Sequence, residues 1–101
     1  MTHVRLNLSC PQPLAEQLIE FLLEHDAMIG GFTSLAAHGH GRDFSAATLR
    51  ERVRGRVQCV LLLAILPAEN VAPLLRDMRK QFAVPHLFYW TEPVQDFGEL
   101  S

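Results

Sequence analysis

Apolar and polar residues alternate at the start of the chain. Val4, Leu6 and Leu8 are apolar, and Arg5, Asn7 and Ser9 lie between them. That period of two predicts a strand with one buried face. Pro11 and Pro13 punctuate its exit. Leu14, Leu18, Phe21 and Leu22 then recur at helical spacing, with Glu16, Glu20 and Glu24 on the other side. The pattern predicts an amphipathic helix of about three turns. It should stop near Asp26, ahead of Gly30-Gly31. A second strand is expected from Phe32 through Leu35 and Ala37 toward His40. The stretch from Gly41 to Gly55 is polar and has no long apolar stripe. It reads as a long connection between strands, and Ser45 to Val53 could make a short helix capped by Ser45. Val57 to Leu66 is the hydrophobic heart: from Val60 onward it is apolar without alternation. Pro67 ends this run and can start a helix. Val71, Leu74, Leu75, Met78 and Phe82 fall on one face of that helix, opposite Arg76, Asp77, Arg79 and Lys80. A last strand is expected over Val84 to Trp90, with one of Tyr89 and Trp90 in the core and the other facing a partner or a bound ring. Residues from Glu92 to Ser101 trail off past Pro93 and Gly98.

The predicted order is β-α-β-β-α-β in a single domain spanning 1–101. Two helices on a four-stranded antiparallel sheet give the α+β ferredoxin-like two-layer sandwich. Helices cover only one sheet face in this architecture. A strand apolar on both faces, such as Val60 to Leu66, implies that the second face is covered too. No sequence remains to build a third layer, so the expected cover is another copy of the chain in a closed assembly. The plainer reading is burial on one face only, with outward leucines tolerated.

Composition narrows the class. The 101 residues are 49% hydrophobic and 20% charged, which excludes intrinsic disorder. The net charge of −2 is not that of a polycation built to coat nucleic acid. Cys10 and Cys59 make neither a disulfide framework nor a thiolate zinc cage, which suits a reducing cytosol. The first residues show no basic head followed by an apolar stretch, so no signal peptide is expected. The run from Val60 to Leu66 is far short of the roughly 20 residues of a membrane span. These observations predict a cytoplasmic protein with no direct membrane insertion.

Two constellations could carry chemistry. If the second strand persists to residue 40, His38 and His40 share a face about 6.6 Å apart. Two such imidazoles can share a zinc, copper or nickel ion, but a closed zinc site takes four ligands. The rest would come from His3, Asp43, Cys59 or a neighbouring subunit. Alternatively, these are surface histidines flanking glycines that a bend requires. The second constellation is basic. Arg42, Arg50, Arg52, Arg54 and Arg56 stand against Asp43 and Glu51, a net of +3 within a chain of −2. Arginine forks match carboxylates and phosphates, and Gly39, Gly41 and Gly55 would let backbone N–H groups approach an anion. They suggest a pocket for a nucleotide, phosphate or small carboxylate at a subunit boundary. The alternative is a solvated loop paired with its own acids. No phosphate-loop or dinucleotide fingerprint is present. Cys10 reads as a strand-end core residue and Cys59 as a buried, inert thiol. No arrangement of Ser, His and Asp argues for catalysis. An RNA-binding reading of the same topology needs exposed aromatics on the central strands, and Val57 to Leu62 has none. A heavy-metal-binding domain would need C-x-x-C after the first strand, where Cys10 stands alone.

Specific strings add to this. Gly31-Phe32-Thr33-Ser34, Gly39-His40-Gly41, Glu51-Arg52-Val53-Arg54-Gly55-Arg56 and Tyr89-Trp90-x-x-Pro93-Val94 with Gly98 occur in that order. The series resembles a PII-like family of small proteins often encoded beside bacterial heavy-metal efflux pumps, over nearly the whole chain. The resemblance implies a ferredoxin-like homotrimer with inward-facing sheets. It implies a T-loop-like connection at about 41–55 that docks on targets, and effector clefts between subunits near its base. The loop before the fourth strand reads Gln81-Phe82-Ala83-Val84-Pro85-His86. It lacks the glycines and lysine with which PII proteins hold nucleotide phosphates, which argues against nucleotide binding by the usual route. The T-loop-like segment has no tyrosine to accept a uridylyl group. A relative that confers divalent-cation tolerance keeps His38 and His40 as metal candidates.

Together these readings predict a cytoplasmic regulator, not an enzyme. Its effector or transition metal, zinc or copper, would bind near Gly39, Gly41, Arg52, Arg54, Gly55 and Arg56, with His38 and His40 as metal ligands. Its partner, by family context, would be a membrane transporter or efflux-pump component. The rival is a structural or adaptor trimer with no small-molecule ligand.

Overall fold

The computed structural model describes residues 2–41 and 57–101. The alternating start forms strand β1, His3–Pro11. A tight turn over Gln12–Leu14, with Pro13 early in it where a missing N–H costs nothing, leads into helix α1, Ala15–Glu24. Its apolar stripe buries Leu18, Phe21 and Leu22. His25 ends α1, and its Nδ1 lies 2.8 Å from the Phe21 carbonyl oxygen. A single further turn, α2, spans Asp26–Ile29. It closes at Gly30, whose φ of 67° lies in the left-handed region that favours glycine. Strand β2 is Thr33–Gly39 and strand β3 is Val57–Pro67. A turn over Ala68–Asn70 precedes helix α3, Val71–Gln81, and strand β4 is Phe88–Val94. The long connection at 41–55, the short helix expected over Ser45 to Val53, and Arg52, Arg54, Gly55 and Arg56 lie outside the described residues beyond Gly41.

The strands form one antiparallel sheet in the order β2-β3-β1-β4. With the helices this is the α+β ferredoxin-like sandwich expected from the sequence. The register assigns every side chain to a face. Leu6, Leu8 and Cys10 stand beside Ala64, Leu62 and Val60, facing the helix layer. Leu18, Leu22 and Leu74 close that core from the helices and have no exposed surface. Phe21 meets Phe82 edge-on, with ring centroids 5.6 Å apart. The helix layer is tied across its elements by two polar contacts. Asn70 Nδ2 donates to the Met28 carbonyl at 2.9 Å, and His25 Nε2 lies 3.7 Å from an Asp77 carboxylate oxygen.

Three local expectations are corrected. The last strand begins four residues later than the apolar pattern predicts. Pro85 and His86 form a turn, and His86 has a φ of 66°, which no strand residue adopts. The strand instead runs through Pro93, tolerated because β4 is an edge strand. Neither Tyr89 nor Trp90 is core: they remain 49% and 44% exposed. The polar side of β1 is also less open than alternation implies, since Asn7 and Ser9 are buried.

The helix-side core sets stability. Leu18→Ala or Leu74→Ala should lower the unfolding free energy by about 2–5 kcal/mol, because a void would remain among well-packed neighbours. Leu→Met at the same positions should cost under about 1.5 kcal/mol. Urea denaturation followed by circular dichroism measures both.

Candidate functional site

The site suggested by the sequence begins where β2 ends. His38 pairs with Gln58 and Gly39 with Val57. Gly39 is buried, and β2 closes there, so His38 lies in the strand and His40 just beyond it. The shared strand face expected for the two histidines therefore stops one residue short. Gly41 follows with a φ of 107°, a conformation that favours glycine and turns the chain away from the strand. A depression of about 200 Å³ is lined by Gln12, Ala36, Ala37, His38, Gln58, Cys59 and Val60. By the register His38 shares a sheet face with Gln58, while Cys59 lies beside Ala37 on the other face. Among the described residues no group of three or more His, Cys, Asp or Glu is gathered to hold a metal.

The two cysteines are free. Cys10 pairs with Val60, which puts its neighbour Cys59 on the opposite sheet face. Burial pushes the Cys10 thiol up to about 11, the nearby Cys59 adds to the rise, and a backbone hydrogen bond from Val60 opposes it. A thiol held protonated in this way is a poor nucleophile.

The other sheet face carries none of the described helices. Its side chains form cross-strand rows. Leu35, Leu61, Ser9 and Phe88 make one row, and Thr33, Leu63, Asn7 and Trp90 the next. Ile65, Arg5 and Glu92 make a third. Leu35, Phe88 and Trp90 are 46%, 38% and 44% exposed. At one end, a groove of about 720 Å³ runs past Arg5, Phe32, Leu35, Leu63, Ile65 and Phe97.

A polar inset interrupts this apolar face. Arg5 donates to Glu92 Oε1 from Nε at 3.1 Å and from Nη2 at 2.6 Å. Asn7 Nδ2 donates to the same oxygen at 2.8 Å and approaches the Trp90 carbonyl at 3.4 Å. The Arg5 hydrogen bond, aided by Asn7 and by the charge of Arg5, holds the Glu92 carboxyl below the usual carboxylate range. Sequence patterning misses this inset, because its members lie 85 residues or more apart except for Arg5 and Asn7. The available signal is a strand whose outward positions are polar beside two strands whose outward positions are not.

The family model for proteins of unknown function, DUF3240, matches residues 1–101. The chain belongs to the DUF3240 family. A crystal structure of a DUF3240 protein from Shewanella baltica OS155 superposes with a TM-score of 0.80 at 21% identity, covering 100% of this chain and 99% of that one. CPII from Thiomonas intermedia K12, a nitrogen regulatory PII-like protein solved with ADP, AMP and bicarbonate, gives 0.71 at 18% identity over 99% and 98% of the two chains. A PII-like signalling protein of Thermus thermophilus gives 0.64 at 18% identity over 93% and 87%. No protein of curated function matches the sequence. This DUF3240 chain thus has the PII-like fold that the sequence resemblance implied. No described helix is long and apolar enough to cross a membrane.

The Glu92 inset gives a pH dependence with a definite sign. Its folded-state pKa is depressed, so its contribution to stability is present above the ordinary carboxylate value and is lost as pH falls through the folded-state value. Wild type and Glu92→Gln should therefore differ most near neutrality, and the difference should shrink as pH falls below the ordinary glutamate value of about 4.3. Denaturation midpoints across that range measure the convergence. Native Cys10 should resist iodoacetamide at about pH 7.5 and react fully in denaturant, as peptide mass spectrometry would report.

Proposed function

We propose that this DUF3240 protein is a PII-like regulator that assembles as a homotrimer through the sheet face that no described helix covers. The observation that carries the reading is that face itself. Leu61, Leu63 and Ile65 of a central strand point into it, flanked by Leu35, Phe88 and Trp90. An exposed apolar surface of this kind, with its polar inset satisfied internally, belongs in an interface. The superposition on CPII supports a regulatory role over a catalytic one.

The effector would bind between subunits at the end of β2. His38, His40, Gly39 and Gly41 would meet Arg52, Arg54, Gly55 and Arg56 there. CPII is described with ADP, AMP and bicarbonate, so adenine nucleotides and small anions join zinc and copper as effector classes to test. Binding would govern whether the segment 42–55 engages or releases a partner, through the ligand's differential affinity for the two states. The family context makes an efflux-pump component the partner to test, with the protein acting from the cytoplasm.

Light scattering on a size-exclusion column should give three times the chain mass at micromolar concentration. Leu61→Glu with Leu63→Glu should reduce it to a monomer. A wild-type monomer would end the proposal. Calorimetry with ADP, AMP, ATP, bicarbonate, zinc and copper should show saturable binding by at least one of these. If metal is the effector, His38→Ala/His40→Ala should weaken it at least tenfold. Trimers that bind none of the six would favour the adaptor reading.

A further inference from the structure

A further cavity lies at the β4 edge of the sheet, across from β2, where the last turn of α3 passes the start of β4. Its volume is about 280 Å³. Leu8, Leu75, Met78 and Phe82, all buried, make its inner wall. Val84 and Tyr89, 44% and 49% exposed, make its mouth. The connection that shapes it passes through His86, whose φ of 66° is unusual for a residue with a side chain. Such conformations persist where the surroundings hold them, and they cluster at ligand sites.

Among the described lining residues Arg79 alone carries charge. Its neighbours on α3 are engaged otherwise: Arg76 and Lys80 lie 3.7 and 3.9 Å from Asp77. No described carboxylate makes an ion pair with Arg79. Its guanidinium carbon instead sits 5.8 Å from the centre of the Tyr89 ring. A basic residue in the last turn of a helix offsets the helix dipole. That accounts for a cation near the end of α3, but not for its seat over an aromatic ring at a cavity mouth. A cation–π contact does not consume the N–H groups of a guanidinium, whose fork matches a carboxylate.

We propose that this cavity binds a small apolar monocarboxylate. A ring or short alkyl chain would lie among Leu75, Met78, Phe82 and Leu87, and the carboxylate would meet the edge of Arg79. The volume is at the small end for ligand sites and suits a molecule of about ten heavy atoms. One arginine matches one carboxylate; a polyphosphate would leave most of its charge unpaired. All of the residues that line the cavity belong to a single chain.

Phenylacetate and hexanoate are the probes. Titration into the full-length protein, followed by calorimetry and by backbone amide shifts, should show saturable binding by at least one of them. The shifted amides should cluster at Leu75, Phe82, Val84 and Tyr89. Arg79→Gln keeps a good helix former on an exposed position and should leave the fold intact. It should weaken binding at least about tenfold, the worth of a charge-assisted pair. Phenylacetamide or hexanamide should bind as weakly to wild type. Absence of saturable binding by both acids, equal binding of acid and amide, or unchanged affinity in Arg79→Gln would each overturn the assignment.

Discussion

The structure turns on strand β3. Its residues alternate between two faces, and both sets are apolar: Val60, Leu62, Ala64 and Leu66 point to the helices, and Leu61, Leu63 and Ile65 point away. A two-layer sandwich supplies helices for only the first set. Leu61, Leu63 and Ile65 are only partly buried there, so covering them would add a fraction of the about 1.5–3 kcal/mol that full burial of an aliphatic side chain is worth. The neighbours compound it, because Leu35, Phe88 and Trp90 extend the same surface across all but one strand. The exception is β1, and its contribution is informative.

On that face β1 offers Arg5, Asn7 and Ser9. Asn7 is almost completely buried, yet its amide is satisfied by Glu92 and by the Trp90 carbonyl. Glu92 in turn receives Arg5. A satisfied polar cluster inside an apolar patch adds little net stability relative to a hydrophobic replacement, but it restricts which surface can cover the patch. A covering copy must leave the Arg5–Glu92 pair its hydrogen bonds or replace them. The apolar rows favour association in many orientations, and the polar inset discriminates among them.

Much of this is legible in the sequence, for identifiable reasons. The helices declare themselves through 3.6-residue periodicity at Leu18, Phe21 and Leu22 and at Leu74, Leu75 and Met78. The double-sided strand is visible because a run of seven apolar residues cannot be one-sided at a period of two. What stays hidden depends on register or on turns. Alternation in β1 identifies two faces but cannot say that Trp90 and Leu63 will flank Asn7 and bury it. Pattern alone misplaces the start of β4 because Val84 and Leu87 read as strand residues, whereas the turn at Pro85 and His86 assigns both to a cavity wall. The site at the end of β2 is half legible: the sequence names His38, His40 and Cys59, and the structure adds the pairing of His38 with Gln58.

The turn at Pro85 and His86 has consequences at both faces of the sheet. By delaying β4 it fixes the pairing of Phe88 with Ser9 and of Trp90 with Asn7. That pairing sends Phe88 and Trp90 to the open face and leaves Tyr89, beside Leu8, on the helix side under Arg79. A slip of one residue would exchange them. Tyr89 would then crowd the open face, while Phe88 and Trp90 would point into the space beside α3. The chain passes from Phe82, buried against Phe21, to Phe88 in only five intervening residues. A left-handed residue at His86 is one means of reversing the chain so quickly. The same short connection therefore sets which aromatic residues are offered to a neighbouring copy and which one borders the cavity within the chain.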